Sequence, residues 1–348
     1  MSTHKVIRVT SKTKGPSGLQ SFEEPIPTIS QDEILVRVRG ATLNFRDLAI
    51  TTGQYPLKTL DNVVPGSDVA GEVVQVGARV TTFSVGDRVV APISFDFQYG
   101  VVTEEVHHTA LGGGRDGALA EYTVMPAYGA MKLPKSSHDF IQWAALVTAG
   151  GTAWNCLYGC NPLRAGQTVL CSGTGGVSLA AMVFAKAAGA ITIVTSSSDE
   201  KLKHVQDAYG AQHLINYKTT PNWADEVLRI TGGEGAHHVI EIGGGGTIMQ
   251  SAKAVARGGV ISLVGFLHPD SEDKIHDLVM GIMLRGSIVR GVLGASKQQL
   301  EDAIDCMAKL QLQMPIDKVF GFTQEEVVAA YEHLAAGKQI GKIGINLG

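Results

Sequence analysis

The sequence predicts an α/β chain of two domains: a small, mostly antiparallel β domain, then a doubly wound parallel sheet with helices on both faces. Three observations carry this. Residues 1–130 alternate apolar and polar in short runs between glycine and proline turns. After Pro134, strand-like runs alternate with helical ones, the pattern of a parallel sheet. One strand opens onto a glycine cluster that leads into an Ala-rich helix. The 348 residues suit about two domains of roughly 100–200 residues each.

The β domain comes first. Val6–Val9 and Ile34–Val38 alternate as half-buried strands do. Gly71–Val76 and Asp87–Ala91 follow, punctuated by Gly77 and Gly86. Pro16, Pro25 and Pro27 suit loops and edge strands. Residues 142–157 read as a helix. Strand 168–172, the glycine loop, helix 176–188, strand 190–195 and helix 199–208 come next. Further strands are expected at 214–216, 238–242, 259–264 and 287–291. Then follow a helix over 297–311, a strand near Val319, a helix over 323–336 and a strand over 341–347. That last strand is expected to return to the first domain.

Composition bounds the function. Hydrophobic residues are 44% and charged residues 18%, as in a globular protein. Glycine is high, 42 residues, without a collagen period. A net charge of −4 and 6% aromatics argue against nucleic acid as partner. No apolar run approaches the ~18 residues of a membrane span, and no apolar leader opens the chain. The expectation is a cytoplasmic protein with no membrane partner. Cys156, Cys160, Cys171 and Cys306 are too few for a disulfide framework.

The strongest local motif runs Thr168-Val169-Leu170-Cys171-Ser172-Gly173-Thr174-Gly175-Gly176-Val177-Ser178. Glycine lets backbone turn tightly and approach a pyrophosphate. The helix start then offers N–H groups and a positive dipole end to phosphate. Ser178, small enough for close packing, replaces the third glycine of the usual fingerprint. A purely structural turn is the alternative, but the complete strand–loop–helix–strand context favours a dinucleotide. An NAD enzyme usually ends its next strand on Asp or Glu, which grips the ribose. Here that strand ends Thr195-Ser196-Ser197-Ser198, and Lys201 lies close by. This favours NADPH (NADP+). The serines also suit capping of the next helix.

The chain resembles the medium-chain dehydrogenase/reductase superfamily over nearly its whole length. The carriers are Pro65-Gly66-Ser67-Asp68-Val69-Ala70-Gly71-Glu72-Val73, Val85-Gly86-Asp87-Arg88-Val89 and Gly117-Ala118-Leu119-Ala120-Glu121-Tyr122. Ala149-Gly150-Gly151-Thr152-Ala153-Trp154, the glycine loop, Gly258-Gly259-Val260-Ile261 and Gly341-Lys342-Ile343 complete them. The resemblance implies a GroES-like domain, residues 1–132 and 294–348, and a Rossmann domain, residues 133–293. It also implies an active site in the cleft between them.

The zinc alcohol dehydrogenases of that superfamily bind catalytic zinc through a Cys, the His of a Gly-His-Glu motif and a second Cys. Asn44 stands at the first position, Gly66-Ser67-Asp68 replaces Gly-His-Glu, and Thr148 stands near the last. No Cys precedes Cys156, so the structural zinc lobe is missing too. Zinc wants three or four soft or imidazole ligands. No metal site is therefore expected. His107-His108 and His237-His238 read as surface or loop histidines, and Cys156-x-x-x-Cys160 as packing or a helix end.

The pattern is similar to the zinc-free, quinone oxidoreductase-like and enone reductase-like branch. By position, the resemblance assigns Asn44 to the nicotinamide side and Thr152 to the carboxamide. It assigns Gly173, Thr174, Gly175, Gly176 and Val177 to the pyrophosphate. Ser196, Ser197, Lys201 and Tyr217 go to the 2′-phosphate. Gly243, Gly265 and Phe266 follow strand ends where cofactor lies, with plain packing an equal reading for Phe266. Tyr55 is the candidate proton donor beside Asn44; an ordinary loop tyrosine is its alternative. The implied function is NADPH-dependent, zinc-independent reduction of a quinone, enone or related carbonyl. A metal-free alcohol/aldehyde dehydrogenase and a non-catalytic NADP(H)-binding sensor or scaffold are the alternatives. The apolar strand over 287–292 is expected at a sheet edge, where pairing with a second copy would make a homodimer; an interior, fully paired strand in a monomer is the alternative.

Overall fold

The computed structural model describes residues 2–265 and 275–348. It divides into two compact units, Met1–Gly151 with Ala295–Gly348, and Thr152–Gly294.

The first unit opens with strands β1 (Thr3–Val9) and β2 (Leu19–Pro25), an antiparallel ribbon. The long β3 (Glu33–Leu43) follows, then a short helix α1 (Phe45–Thr51) and β4 (Asp68–Val76). β5 (Arg88–Val90), β6 (Tyr122–Pro126) and β7 (Met131–Lys132) extend the sheet, and α2 (Phe140–Ala145) packs on β3 and β4. Because α2 lies on that sheet, the units divide at Gly151; the boundary expected at 133 falls inside the first unit. The helix read over 142–157 is interrupted. A π-helical turn, Leu146–Gly150, joins α2 to α3 (Gly151–Tyr158). The Gly150-Gly151 pair supplies the weak helical propensity that such a turn exploits.

The second unit alternates strand and helix: β8 (Thr168–Cys171), α4 (Gly176–Ala187), β9 (Ile191–Ser196), α5 (Asp199–Tyr209) and β10 (His213–Asn216). Then come α6 (Trp223–Ile230), β11 (Ala236–Glu241), α7 (Ile248–Ala254), β12 (Val255–Leu263), α8 (Ile275–Arg285) and β13 (Ile288–Gly291). The six strands are parallel, in the order β10-β9-β8-β11-β12-β13. The order reverses between β8 and β11, the switch point where such sheets bind ligands. Its two faces differ. Leu170, Ile193, Val239 and Ile261 share one face and join Trp223 and Val227 of α6 in a buried apolar core. Register puts Cys171, His238, Ser262 and Arg290 on the other.

The chain then returns through α9 (Lys297–Leu310), β14 (Ile316–Phe320), α10 (Gln324–Ala335) and β15 (Lys342–Asn346). β15 pairs antiparallel with β3, so the closing strand completes the first unit's seven-stranded sheet as expected. Val36, Val38, Phe95, Met125, Tyr331 and Ile345 are among its buried core residues. Among the described residues no helix is long and apolar enough to cross a membrane.

Candidate active site

In the second unit the glycine loop has the geometry of a phosphate cradle. Gly173 turns the chain at φ +77°, a left-handed conformation natural to glycine, and its N–H donates to Thr195 Oγ1 at 3.2 Å. Gly175 is extended, and a Cβ there would meet nothing within 4 Å. α4 starts at Gly176, and its first i→i−4 bond is Leu179 N–H to Gly175 C=O. The N–H groups of Gly176, Val177 and Ser178 precede that ladder and are open to a ligand. Ser178 Oγ donates to Ser172 C=O at 2.6 Å, tying helix to strand where a third glycine would allow close packing. Ser172 Oγ is buried with no hydrogen-bond partner among the described residues. Thr174, between them, is buried. Open space, unpaired N–H groups and an orphaned hydroxyl at the end of β8 all fit a dinucleotide pyrophosphate.

Of the other positions that the resemblance assigns to the nucleotide, Ser196, Ser197 and Tyr217 lie at the ends of β9 and β10, Lys201 in the first turn of α5 and Thr152 in α3. β10 pairs with β9 so that Asn216 faces Ser196, and Tyr217 N–H donates to Ser196 C=O at 3.0 Å. Ser196 is buried, Ser197 half-buried and the Tyr217 ring exposed. Ser198 caps α5, its Oγ accepting from Lys201 N–H. Asp199 is held by Asn216 Nδ2 at 2.8 Å on the first turn of α5. Thr152 is buried in the first turn of α3.

Gly243 and Gly265 follow β11 and β12. Gly243 N–H donates to Glu241 Oε1 at 2.7 Å, and Thr247 and Ser251 donate to the same buried carboxylate. Sequence reasoning missed Glu241, which pins this loop; its signal was a lone acid after the apolar pair Val239-Ile240 at the strand's end. Gly265 backs onto the Ile242 backbone, where a Cβ has no room. Phe266 lies outside the described residues.

His238 corrects an expectation. It is 1% exposed, in mid-strand, and its partner His237 is the half-buried one. Burial pushes its pKa down to about 4, with the Cys156 backbone and His237 the smaller influences. Burial also pushes the Cys156 thiol up to about 12, and Cys160 is exposed beyond the end of α3.

The first unit holds a closed polar cluster. Register builds it: β3 pairs with β4 so that Thr42 faces Asp68, and with β15 so that Leu43 faces Ile343. Asp68 is 0% exposed and accepts four hydrogen bonds. Thr42 Oγ1 at 2.6 Å, Asn44 Nδ2 at 2.9 Å and Lys342 Nζ at 2.9 Å reach Oδ2, and Thr148 N–H at 2.9 Å reaches Oδ1. Lys342 also donates to Leu43 C=O at 2.6 Å and to Asn44 Oδ1 at 2.5 Å. Asn44 Nδ2 spends its other hydrogen on Ser67 Oγ at 3.2 Å, and Ser67 Oγ donates to Asp47 Oδ1. Asp47 is fully buried, and burial pushes its carboxyl above the usual range, with Arg46 pulling the other way.

Asn44 and Tyr55 flank α1. Both amide hydrogens of Asn44 are used, so it retains acceptor capacity only. Tyr55 packs against the core, its ring 5.2 Å from the Arg46 guanidinium. Zinc does not fit this cluster. The amide of Asn44 and the hydroxyls of Ser67 and Thr148 stand at the ligand positions, with the Lys342 ammonium bonded to Asn44. The described residues contain no group of three or more His, Cys, Asp or Glu able to hold a metal.

Residues 30–135 match the alcohol dehydrogenase GroES-like domain family, and residues 176–309 the zinc-binding dehydrogenase family. The chain is 40% identical over 343 residues to a zinc-type alcohol dehydrogenase-like protein of Schizosaccharomyces pombe, covering 97% of this chain and 98% of that one. A quinone oxidoreductase-like protein 2 homolog of Nematostella vectensis is 33% identical over 335 residues, 91% of this chain and 82% of that one. A crystal structure of a candidate alcohol dehydrogenase from Sinorhizobium meliloti aligns over 100% of both chains at 37% identity, with a TM-score of 0.89. The chain belongs to the medium-chain dehydrogenase/reductase superfamily, as an oxidoreductase that works with a nicotinamide dinucleotide.

Proposed function

We propose that this oxidoreductase is an NADPH-dependent, zinc-independent reductase of quinones, enones or related carbonyl compounds. The observation that carries the reading is the closed Asn44–Asp68–Lys342 cluster, which offers zinc no ligand set. Without a Lewis acid, alcohol oxidation is difficult. A quinone or enone needs none, because conjugation already spreads the incoming charge. The likeness to a quinone oxidoreductase-like protein supports the same class.

When bound, the nicotinamide supplies the hydride. The chain's own residues bind, orient and exclude water. The glycine loop and the first N–H groups of α4 hold the pyrophosphate. Ser196, Ser197, Lys201 and Tyr217 receive the 2′-phosphate, Lys201 as its cation. Thr152 orients the carboxamide, and Gly243 and Gly265 let the chain pack tightly on Thr247 and Ile242 just past β11 and β12, at the strand ends where cofactor lies. Tyr55 offers its hydroxyl to the oxygen on which charge develops, with solvent as the alternative proton source. Asn44 acts as an acceptor.

We read the protein as a homodimer. β13 is an edge of the six-stranded sheet, with Ile288 41% exposed. The preceding α8 buries no residue and exposes Ile275, Val279, Met283 and Leu284. A bare edge strand beside such a helix suits a second copy. Val289→Pro removes a ladder N–H and should dissociate the dimer on a sizing column with light scattering. A parent mass of one chain at micromolar concentration would contradict the dimer. The four cysteines are free thiols, consistent with a reducing, cytoplasmic setting.

Stopped-flow oxidation of NADPH over a panel of quinones, enones and aldehydes tests the function. Quinone or enone turnover is expected. Aldehyde-only turnover would move the reading to a metal-free alcohol/aldehyde dehydrogenase. Tight NADPH binding without turnover would leave a sensor or scaffold.

A further inference from the structure

We propose that Lys342 is a positioning residue whose buried ammonium serves as a built-in cation, neutralising Asp68 and fixing the amide of Asn44. This deepens the zinc-independent reading above and rests on it only for its kinetic arm.

Lys342 is the first residue of β15, beside the end of β3. Gly341, just before it, turns at φ +85° with no room for a Cβ against Pro315. Lys342 N–H donates to Pro315 C=O at 2.8 Å, so the side chain starts from fixed backbone. Its side chain is 4% exposed and that of Asp68 0%. An ammonium has three donors and no acceptor, and here all three are spent, on Leu43 C=O, Asn44 Oδ1 and Asp68 Oδ2. A lysine serving only as counter-ion to Asp68 would not need the contact with Asn44.

That contact decides the amide's orientation by chemistry alone. An ammonium cannot accept a hydrogen bond, so it meets the oxygen end of Asn44. An ionised carboxylate cannot donate, so Asp68 meets the nitrogen end. Turning the amide over would set like against like at both contacts at once. The ammonium thus holds Asn44 in one orientation and puts a positive charge against both Asn44 and Asp68. A divalent cation entering here would be repelled by Lys342 and would find no thiolate or imidazole to bind.

The test uses the full chain and three variants: Lys342→Met, Lys342→Met/Asp68→Asn, and that double variant with Asn44→Ala. Lys342→Met leaves a buried carboxylate unpaired and should lower the melting midpoint. Adding Asp68→Asn removes that charge and should recover most of the loss. A Lys342→Met variant that melts like the parent, or a double variant less stable than Lys342→Met, would overturn the cation role. If Lys342→Met does not fold, the double variant still must; its failure to fold overturns the proposal as well.

Positioning is read by NMR on the Asn44 side-chain amide. Its hydrogens should exchange slowly in the parent and at least tenfold faster in the double variant. Equal exchange rates would overturn positioning, whatever the enzyme turns over. In the kinetic arm, the double variant should keep its NADPH Kd within twofold and lose about tenfold in kcat with a quinone acceptor. Asn44→Ala on top should lower kcat no further, and a parent-like kcat in the double variant would count against the proposal. A parent protein that reduces no acceptor would sink the reductase reading, while the melting and exchange results would still judge Lys342.

Discussion

The two polar centres of this chain are built on opposite principles. In the first unit, Thr42, Asn44, Ser67, Asp68 and Lys342 satisfy one another, and Asp68 alone accepts four hydrogen bonds. In the second unit, the glycine loop leaves N–H groups, the Ser172 hydroxyl and the space beside Gly175 unfilled. A closed cluster fixes geometry, its polar groups already spent on one another. An open one costs stability in the empty protein, because unmet polar groups are held ready for a ligand. Reading which donors are spent therefore tells polar groups that hold one another from polar groups left open to a ligand.

The contrast can be broken most forcefully at Gly175. A Cβ there meets no protein atom within 4 Å, so Gly175→Val should cost little folding stability, yet it fills the space proposed for pyrophosphate. Dinucleotide affinity should fall roughly a thousandfold, ~4 kcal/mol, by fluorescence titration. Unchanged affinity would show that the space serves nothing.

His238 offers a second test, on the buried polar face of the sheet. Its pKa falls from an ordinary 6.5 to about 4 in the folded chain. Between those values the unfolded chain binds more protons, so stability is full above about pH 6.5 and is lost as pH falls toward 4. The loss is at most about 3 kcal/mol. His238→Leu should flatten the denaturation midpoint over that window, and a parent-like slope in the variant would refute the assignment.

Lys201→Ala sharpens the open side of the comparison. It should weaken NADPH ten- to a hundredfold, the worth of a charge-assisted contact of ~1.5–3 kcal/mol, and leave NADH nearly unchanged. Equal affinity of the parent for both cofactors would contradict the 2′-phosphate reading. The smallest effect is expected at Ser178. Ser178→Ala removes the bond to Ser172 C=O and should lower stability by about 1 kcal/mol in a denaturant melt. A loss several times larger would mean that this serine does more than tie helix to strand.

Much of this was legible in the sequence because it is local. The parallel unit declared itself through alternating periods, and the cradle through glycines between an apolar strand and an Ala-rich helix. That Asn44 and Ser67 stand where the resembled zinc enzymes carry ligands was readable. The ammonium beside them was not, because Lys342 lies 274 residues from Asp68 and meets it only through the pairing of β3 with β4 and β15. His238 was misread for a related reason. Adjacent histidines look polar in sequence, yet on a strand covered on both faces one of the pair must point inward. The break between α2 and α3 escaped because apolar periodicity runs on through a π-helical turn.

Metal content and turnover, measured together, test the central claim most directly. Protein purified without added metal should carry well under one zinc per chain, and its NADPH-dependent reduction of a quinone or enone should survive a strong chelator at full rate. A stoichiometric zinc whose removal abolishes turnover would contradict the account.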